Sequence, residues 1–197
     1  TSLIHQYLGD LDLADLPIPV MVLCEDLTKK REIRITEGDF YTVMEAAYAL
    51  PVYFSPVNYK DRLLIDGGIS NLVPLHAAYS YTDQVIASTT FYQNPDLNLK
   101  NPLTILNISM DINKSREGIR QIKEYEPLLI RCAVEQFSFM DFSSLKEITD
   151  AGYRSAKEMS SKLELLESSQ ANIKLRETRA GFSDKIAQEL RKYQYHS

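Results

Sequence analysis

The sequence is poor in the residues that mark metal-dependent, membrane-spanning and nucleic-acid-binding proteins. It has two cysteines and three histidines, and no His/Cys group with the spacing of metal ligands. No apolar stretch approaches the length of a membrane span, and no run of Lys and Arg could follow a phosphate backbone. With a net charge of −5, the chain is not expected to bind nucleic acid or to need a metal.

Several catalytic and cofactor motifs are also missing. No Gly-x-Ser-x-Gly occurs, so these residues contain no nucleophile elbow, and neither a Gly-x-Gly-x-x-Gly nor a phosphate-binding loop is present. Cys24 and Cys132 each lie in an apolar run, which favours buried free thiols and leaves a disulfide as the alternative. The first ten residues lack the basic and apolar segments of a signal peptide. We expect a cytoplasmic or peripherally membrane-associated protein without a cofactor.

What the chain does contain is an alternation of strand and helix patterns. Apolar runs predict strands at Pro19–Glu25, Leu63–Ile65, Gln84–Thr90 and Leu128–Val134, and the first of them is expected to be buried on both faces. Arg31–Thr36 alternates, which predicts a strand with one wet face. Helical spacing predicts helices at residues 2–8, 40–50, 74–81, 103–126, 144–166 and 183–193, with Ser144 and Glu147 as a capping box in the fifth. This order predicts an α/β fold with a mainly parallel sheet flanked by helices and a helical C-terminal end.

The stretch from Leu63 to Pro74 is the most informative one. Three apolar residues run into Asp66, and Gly67 and Gly68 follow at once. The glycines permit either a positive φ or a close approach to another group. An acid at the end of a strand is in the usual place for a catalytic carboxylate, although the same residue could simply cap a turn.

The residues around this stretch resemble the second half of a patatin-like phospholipase domain. The resemblance covers Ile18–Tyr92 and rests on ordered pieces: the strand before Asp26-Leu27, the Ala-x-Pro-x-x-Phe-x-Pro segment around Pro51, Phe54 and Pro56, then Asp66-Gly67-Gly68 with Asn71 and Pro74. Tyr48 stands where the family usually has Ser. Val52-Tyr53 replaces a commoner pair that contains Gly.

The resemblance implies a lipid acyl hydrolase of the phospholipase A or lysophospholipase type that uses a Ser–Asp dyad. Asp66 would be the dyad aspartate, whereas the family's serine and its glycine-rich oxyanion loop would lie upstream of this chain. Burial at the end of an apolar strand raises the pKa of a carboxyl group, which would make Asp66 a better base. Gly67, Gly68 and Asn71 would form the turn, and Phe54, Pro56 and Val57 are candidates for an acyl-chain groove or for packing beneath the loop.

We therefore predict that residues 1–135 are the second half of a patatin-like hydrolase domain and that residues 136–197 are C-terminal helices packed on it or following it. The expected partners are a phospholipid or other acyl lipid, a membrane surface contacted peripherally, and the upstream half of the same protein. A homo-oligomer is a further possible assembly. His76, alone on a helix, is interpreted as a surface or packing residue. Two alternatives are a catalytically inactive patatin-fold module that binds a partner protein, and an unrelated α/β domain.

Overall fold

The helices and strands described below come from a computed structural model that describes residues 10–90, 100–137 and 141–168. The strands are β1 (Val22–Asp26), β2 (Arg31–Ile35), β3 (Val57–Tyr59), β4 (Arg62–Asp66), β5 (Ile86–Thr90) and β6 (Leu128–Cys132). The helices are α1 (Phe40–Ala47), α2 (Leu75–Ala78), α3 (Pro102–Tyr125), α4 (Leu145–Glu158) and α5 (Ser160–Ser168). Single 3-10 turns lie at Leu13–Asp15 and Gly67–Ile69. No helix among these residues is long and apolar enough to cross a membrane.

The described residues divide into two units. The first contains residues 10–74 and 105–118, and the second contains residues 75–90, 100–104, 119–137 and 141–168. This division concerns contacts within the chain. The predicted boundary between residues 135 and 136 separates a hydrolase half from the C-terminal helices that follow it. This boundary stays a prediction.

The sheet of the first unit is antiparallel, and the prediction of a mainly parallel sheet is wrong. Its strand order is β2-β1-β4-β3, and each neighbouring pair runs in opposite directions. Tight turns join β1 to β2 and β3 to β4, and a short hairpin connection forces antiparallel pairing. Lys30 and Lys60 supply the left-handed residues of these two turns, with φ of 53° and 54°.

The core of the first unit lies on one face of this sheet. Cys24 and Leu64 point to that face and pack with Val43 and Ala46 of α1. The expectation that the first strand is buried on both faces is wrong, because burial along β1 alternates and Glu25 points to the other face. Cys24 and Cys132 are both free and buried, as predicted.

The second unit contains the one parallel pair among the described strands. β5 and β6 run side by side from the Ile86–Leu128 pair to the Thr90–Cys132 pair. Ala151 of α4 packs against Ile130, Cys132 and Val134. The prediction of an α/β chain with a parallel sheet and helices is thus confirmed at the level of class.

Several element boundaries differ from the prediction. The helix expected over 144–166 breaks at Met159 into α4 and α5. Ser144 makes no side-chain cap, so the capping box is wrong; Asp141 Oδ1 instead accepts from the Ser144 amide at 3.1 Å. β3 lies in a segment where no strand was predicted. The helices predicted at residues 2–8 and 183–193 lie outside the described residues.

Candidate active site

Asp66 lies at the last position of β4, where the strand passes into the 3-10 turn. Its Cα pairs with that of Cys24 on β1, and its amide donates to the Ala49 carbonyl at 3.2 Å. Its Oδ1 accepts from the Gly68 amide at 2.8 Å, and the side chain is half-buried. The pairing with Cys24 and the hydrogen bond to Ala49 therefore fix the backbone of Asp66.

The environment of Asp66 disfavours the ionised carboxylate. Burial raises the pKa of Asp66, and the hydrogen bond from Gly68 and the positive charge of Lys114 only partly oppose that rise. Burial likewise raises the pKa of Cys24 to about 12, helped by the charges of Asp66 and Glu25. Cys24 is thus a neutral thiol at physiological pH and no nucleophile.

The two glycines after Asp66 serve a close approach and not a left-handed backbone. Among the described glycines, a positive φ occurs at Gly38, and neither Gly67 nor Gly68 has one. A Cβ added at Gly67 would lie 2.4 Å from the carbonyl oxygen of Leu23 on β1. A Cβ at Gly68 would lie 3.1 Å from Asp66 Oδ1. The turn after Asp66 is therefore pressed directly onto the backbone of β1.

Two side chains of the turn bind carboxylates on the sheet. Ser70 Oγ donates to Glu25 Oε1 on β1, and Asn71 Nδ2 donates to Glu32 Oε2 on β2 at 3.1 Å. Neither glutamate is identified by the sequence pattern, because only strand pairing brings them to the turn. The contacting residues are 45 and 39 positions apart in the chain, so no local motif indicates either contact.

A groove of about 650 Å³ lies between α1 and the segment that leads into β3. Phe54, Pro56 and Val57 contribute to its wall, as do three residues from α1 and its end that sequence reasoning missed: Tyr41, Met44 and Tyr48. Their spacing of three and four residues places them on one helical face, which is the signal that could have found them. Tyr48 is followed at once by Ala49, whose carbonyl binds the Asp66 amide.

The segment beside the groove carries exposed apolar side chains on a strained backbone. Tyr48 and Phe54 are 65% and 63% exposed. Val52 has a φ of 79°, an uncommon conformation for a β-branched residue. Tyr53 Oη accepts from Asn107 Nδ2 at 3.3 Å.

His76 belongs to the second unit. Gln121 Oε1 accepts from its amide at 3.0 Å and lies 3.3 Å from its ring Nδ1. Within the described ranges, no group of three or more His, Cys, Asp and Glu residues is arranged to hold a metal ion.

Comparison with known proteins points to one class of enzyme. Residues 1–79, which include β1 to β4 and Asp66, match the family Patatin-like phospholipase. The chain is also similar to the neuropathy target esterase sws of Drosophila melanogaster, with 24% identity over 179 residues. That match covers 76% of this chain but only 12% of the fly protein. The matched family and the fly protein are both named for ester hydrolysis, as a phospholipase and an esterase.

Proposed function

We propose that this chain supplies the general base of a lipid acyl hydrolase, with Asp66 as the aspartate of a Ser–Asp dyad. The observation that carries the proposal is the placement of Asp66, a half-buried carboxylate with a raised pKa at the end of β4. Its amide is bonded to Ala49, the chain neighbour of the groove residue Tyr48. A carboxylate with an ordinary pKa is a weak base for a serine hydroxyl, and burial strengthens it. The match of residues 1–79 to a family of lipid hydrolases supports the same assignment.

The nucleophile in this proposal is a serine outside these 197 residues, because they contain no Gly-x-Ser-x-Gly. Gly68 engages Oδ1 of Asp66, so we assign Oδ2 as the oxygen that takes the serine proton. The serine oxygen attacks the ester carbonyl carbon, and the departing alcohol recovers the proton from Asp66. Water then attacks the acyl-enzyme and gives its proton to Asp66. Asp66 passes that proton to the serine oxygen as the acyl–serine bond breaks and the fatty acid leaves.

The groove between α1 and the segment that leads into β3 is assigned to the acyl chain. Phe54, Pro56 and Val57 form one wall, and Met44 and Tyr48 belong to the other. Its volume lies in the usual range of small-molecule pockets, roughly 300–1,000 Å³. The substrate class is therefore a phospholipid or another acyl lipid, which the protein would meet at a membrane surface.

The test compares Asp66→Asn with the wild type in a longer protein that contains this chain and the upstream serine segment. A fluorogenic acyl ester and phosphatidylcholine vesicles serve as substrates. We expect kcat to fall by about 10²–10⁴-fold, the usual contribution of a general base. The melting temperature should not fall, because the neutral amide avoids the cost of burying an ionised carboxylate. Asp61→Asn is the matched control, because Asp61 lies at the exposed tip between β3 and β4. It should behave as the wild type.

Equal activity of Asp66→Asn and wild type would refute the dyad assignment. Absence of hydrolysis in the wild type as well would favour the alternative of an inactive patatin-fold binding module.

A further inference from the structure

We propose that Glu25 and Glu32 are positioning residues for Asp66, acting through Ser70 and Asn71. The inference rests on the proposed function of Asp66 and adds to it the part of the sheet that holds the base in place. Each glutamate accepts a hydrogen bond from a side chain of the turn that follows Asp66. Their effect on catalysis would pass through the turn.

The first observation is that the two glutamates face each other. Glu25 and Glu32 are direct partners in the β1–β2 ladder, so their side chains lie on the same face of the sheet. Like charges in directly opposite positions are unfavourable, and a pairing of this kind needs an explanation. Each carboxylate accepts a hydrogen bond from the turn that follows Asp66, and Arg34 Nε lies 3.7 Å from Glu32 Oε1.

The second observation is that a short series of backbone hydrogen bonds and contacts connects Ser70 and Asn71 to Asp66. The amides of Ser70 and Asn71 both donate to the Gly67 carbonyl, at 3.2 and 3.1 Å. Gly67 rests on the β1 backbone at Leu23, and the next amide, that of Gly68, holds Asp66 Oδ1. The turn is thus fastened at its far end by Asn71 and at its near end by Gly68.

Loss of the hydrogen bonds from Ser70 and Asn71 to the two glutamates would affect the position of Asp66. Without the two side-chain bonds, the turn is free to lift from β1, and the Gly68 amide moves with it. Asp66 Oδ1 then loses its donor, and the carboxylate can rotate away from the orientation in which Oδ2 meets the serine. A misplacement of a reacting group by about 1 Å can lower a rate by about 10²-fold.

The test is a double-mutant cycle on Glu32 and Asn71 in the same longer protein. We expect Glu32→Ala and Asn71→Ala each to lower kcat by about ten- to a hundredfold with KM unchanged. The double variant should be no worse than either single one. Glu32→Gln keeps an acceptor oxygen and should restore most of kcat. Glu37→Ala is the matched control, because its carboxylate binds only the exposed Lys60 of the β3–β4 tip among the described residues.

Amide hydrogen exchange at Gly68 gives a readout that does not depend on activity. Exchange should be faster in Glu32→Ala and Asn71→Ala, and unchanged in Glu32→Gln and Glu37→Ala. Ser70→Ala removes the hydrogen bond to Glu25 and should behave as Asn71→Ala does. Wild-type exchange and wild-type kcat in both Ser70→Ala and Asn71→Ala would overturn the proposal.

The two proposals can fail separately. If Asp66→Asn is as active as the wild type, the dyad assignment falls, and Gly68 exchange alone decides whether the glutamates hold the turn. If Asp66→Asn is inactive while both alanine variants behave as the wild type, the positioning role falls and the dyad stands.

Discussion

Replacing Gly67 with alanine should damage both the fold and the proposed site, because the added methyl group has no room. The Cβ would lie 2.4 Å from the oxygen and 2.8 Å from the carbon of the Leu23 carbonyl. Both atoms belong to the backbone of β1, which is hydrogen-bonded to strands on either side and cannot rotate away. To reach the separation of about 3.5 Å at which carbon contacts become favourable, the turn and β1 must part by about 1 Å.

The size of the effect can be set by comparison with overpacked cores. Forcing a methyl group into a closely packed place costs about 1–3 kcal/mol, and the upper end applies here because backbone opposes backbone. For a protein of this length, each kcal/mol lowers the melting temperature by about 2–4 °C. We therefore expect Gly67→Ala to melt about 6–12 °C below the wild type.

Two other glycines provide the controls for this prediction. A Cβ at Gly152, inside α4, would meet Cys132 Sγ at 3.9 Å, an ordinary contact. Gly152→Ala should raise stability by about 0.5–1 kcal/mol through helix propensity. A Cβ at Gly68 would press on Asp66 Oδ1, so Gly68→Ala should lose activity more than stability. Thermal melts followed by circular dichroism test all three, and a Gly67→Ala protein that melts at or above the wild type would refute the reasoning.

Three further predictions concern strain, a buried charge and pH. Val52→Gly should stabilise the protein by about 1 kcal/mol, because a left-handed φ costs a residue other than glycine about 1–2 kcal/mol; an unchanged or lower denaturation midpoint would contradict this. Arg62→Ala should cost about 2 kcal/mol, since it removes a charged hydrogen bond; its Nη1 donates at 3.2 Å to the buried Asp26, and a urea midpoint equal to that of the wild type would show the pair to be inert. The folded state raises the pKa of Asp66 above its ordinary 3.8, so ionising it opposes folding and stability is lost as pH rises through the folded pKa. Asp66→Asn should therefore gain stability over the wild type across that interval and show no gain at lower pH, and a constant difference in melting temperature across the interval would contradict the assignment.

The sequence carried the position of Asp66 but not the direction of the strands around it. An apolar run that ends in an acid and two glycines is a local signal, and β4 forms where that signal places it. The direction of β1 and β2 depends on a tight turn whose left-handed residue is Lys30, and lysine lacks the Asn-Gly or Gly-Gly signature of a short hairpin. The connection length does carry a signal, because the five residues between the predicted strands Pro19–Glu25 and Arg31–Thr36 are too few for a parallel crossover. The antiparallel pairing of β1 with β4 joins strands far apart in the chain, and no local signal predicts it.

In the candidate site, too, residues close together in the chain were predictable and residues brought together by strand pairing were not. Phe54, Pro56 and Val57 line the groove, and a motif could point to them because they are neighbours in the chain. Glu25 and Glu32 meet the turn only through the register of β1 and β2, and strand register is not written in a single strand's pattern.

The hairpins that make this sheet antiparallel also affect how the proposed base is assembled during synthesis. The longest sequence separation among the hydrogen bonds that tie down the turn is 45 residues, from Glu25 to Ser70. Every one of these bonds joins residues that precede α2 in the chain. Because a chain leaves the ribosome from its N-terminus, these bonds can form before α3 is translated, whereas residues 105–118 of α3 belong to the same unit and join it only later. Assembly of the first unit therefore ends with α3, whose Lys114 acts on the Asp66 carboxylate with its positive charge.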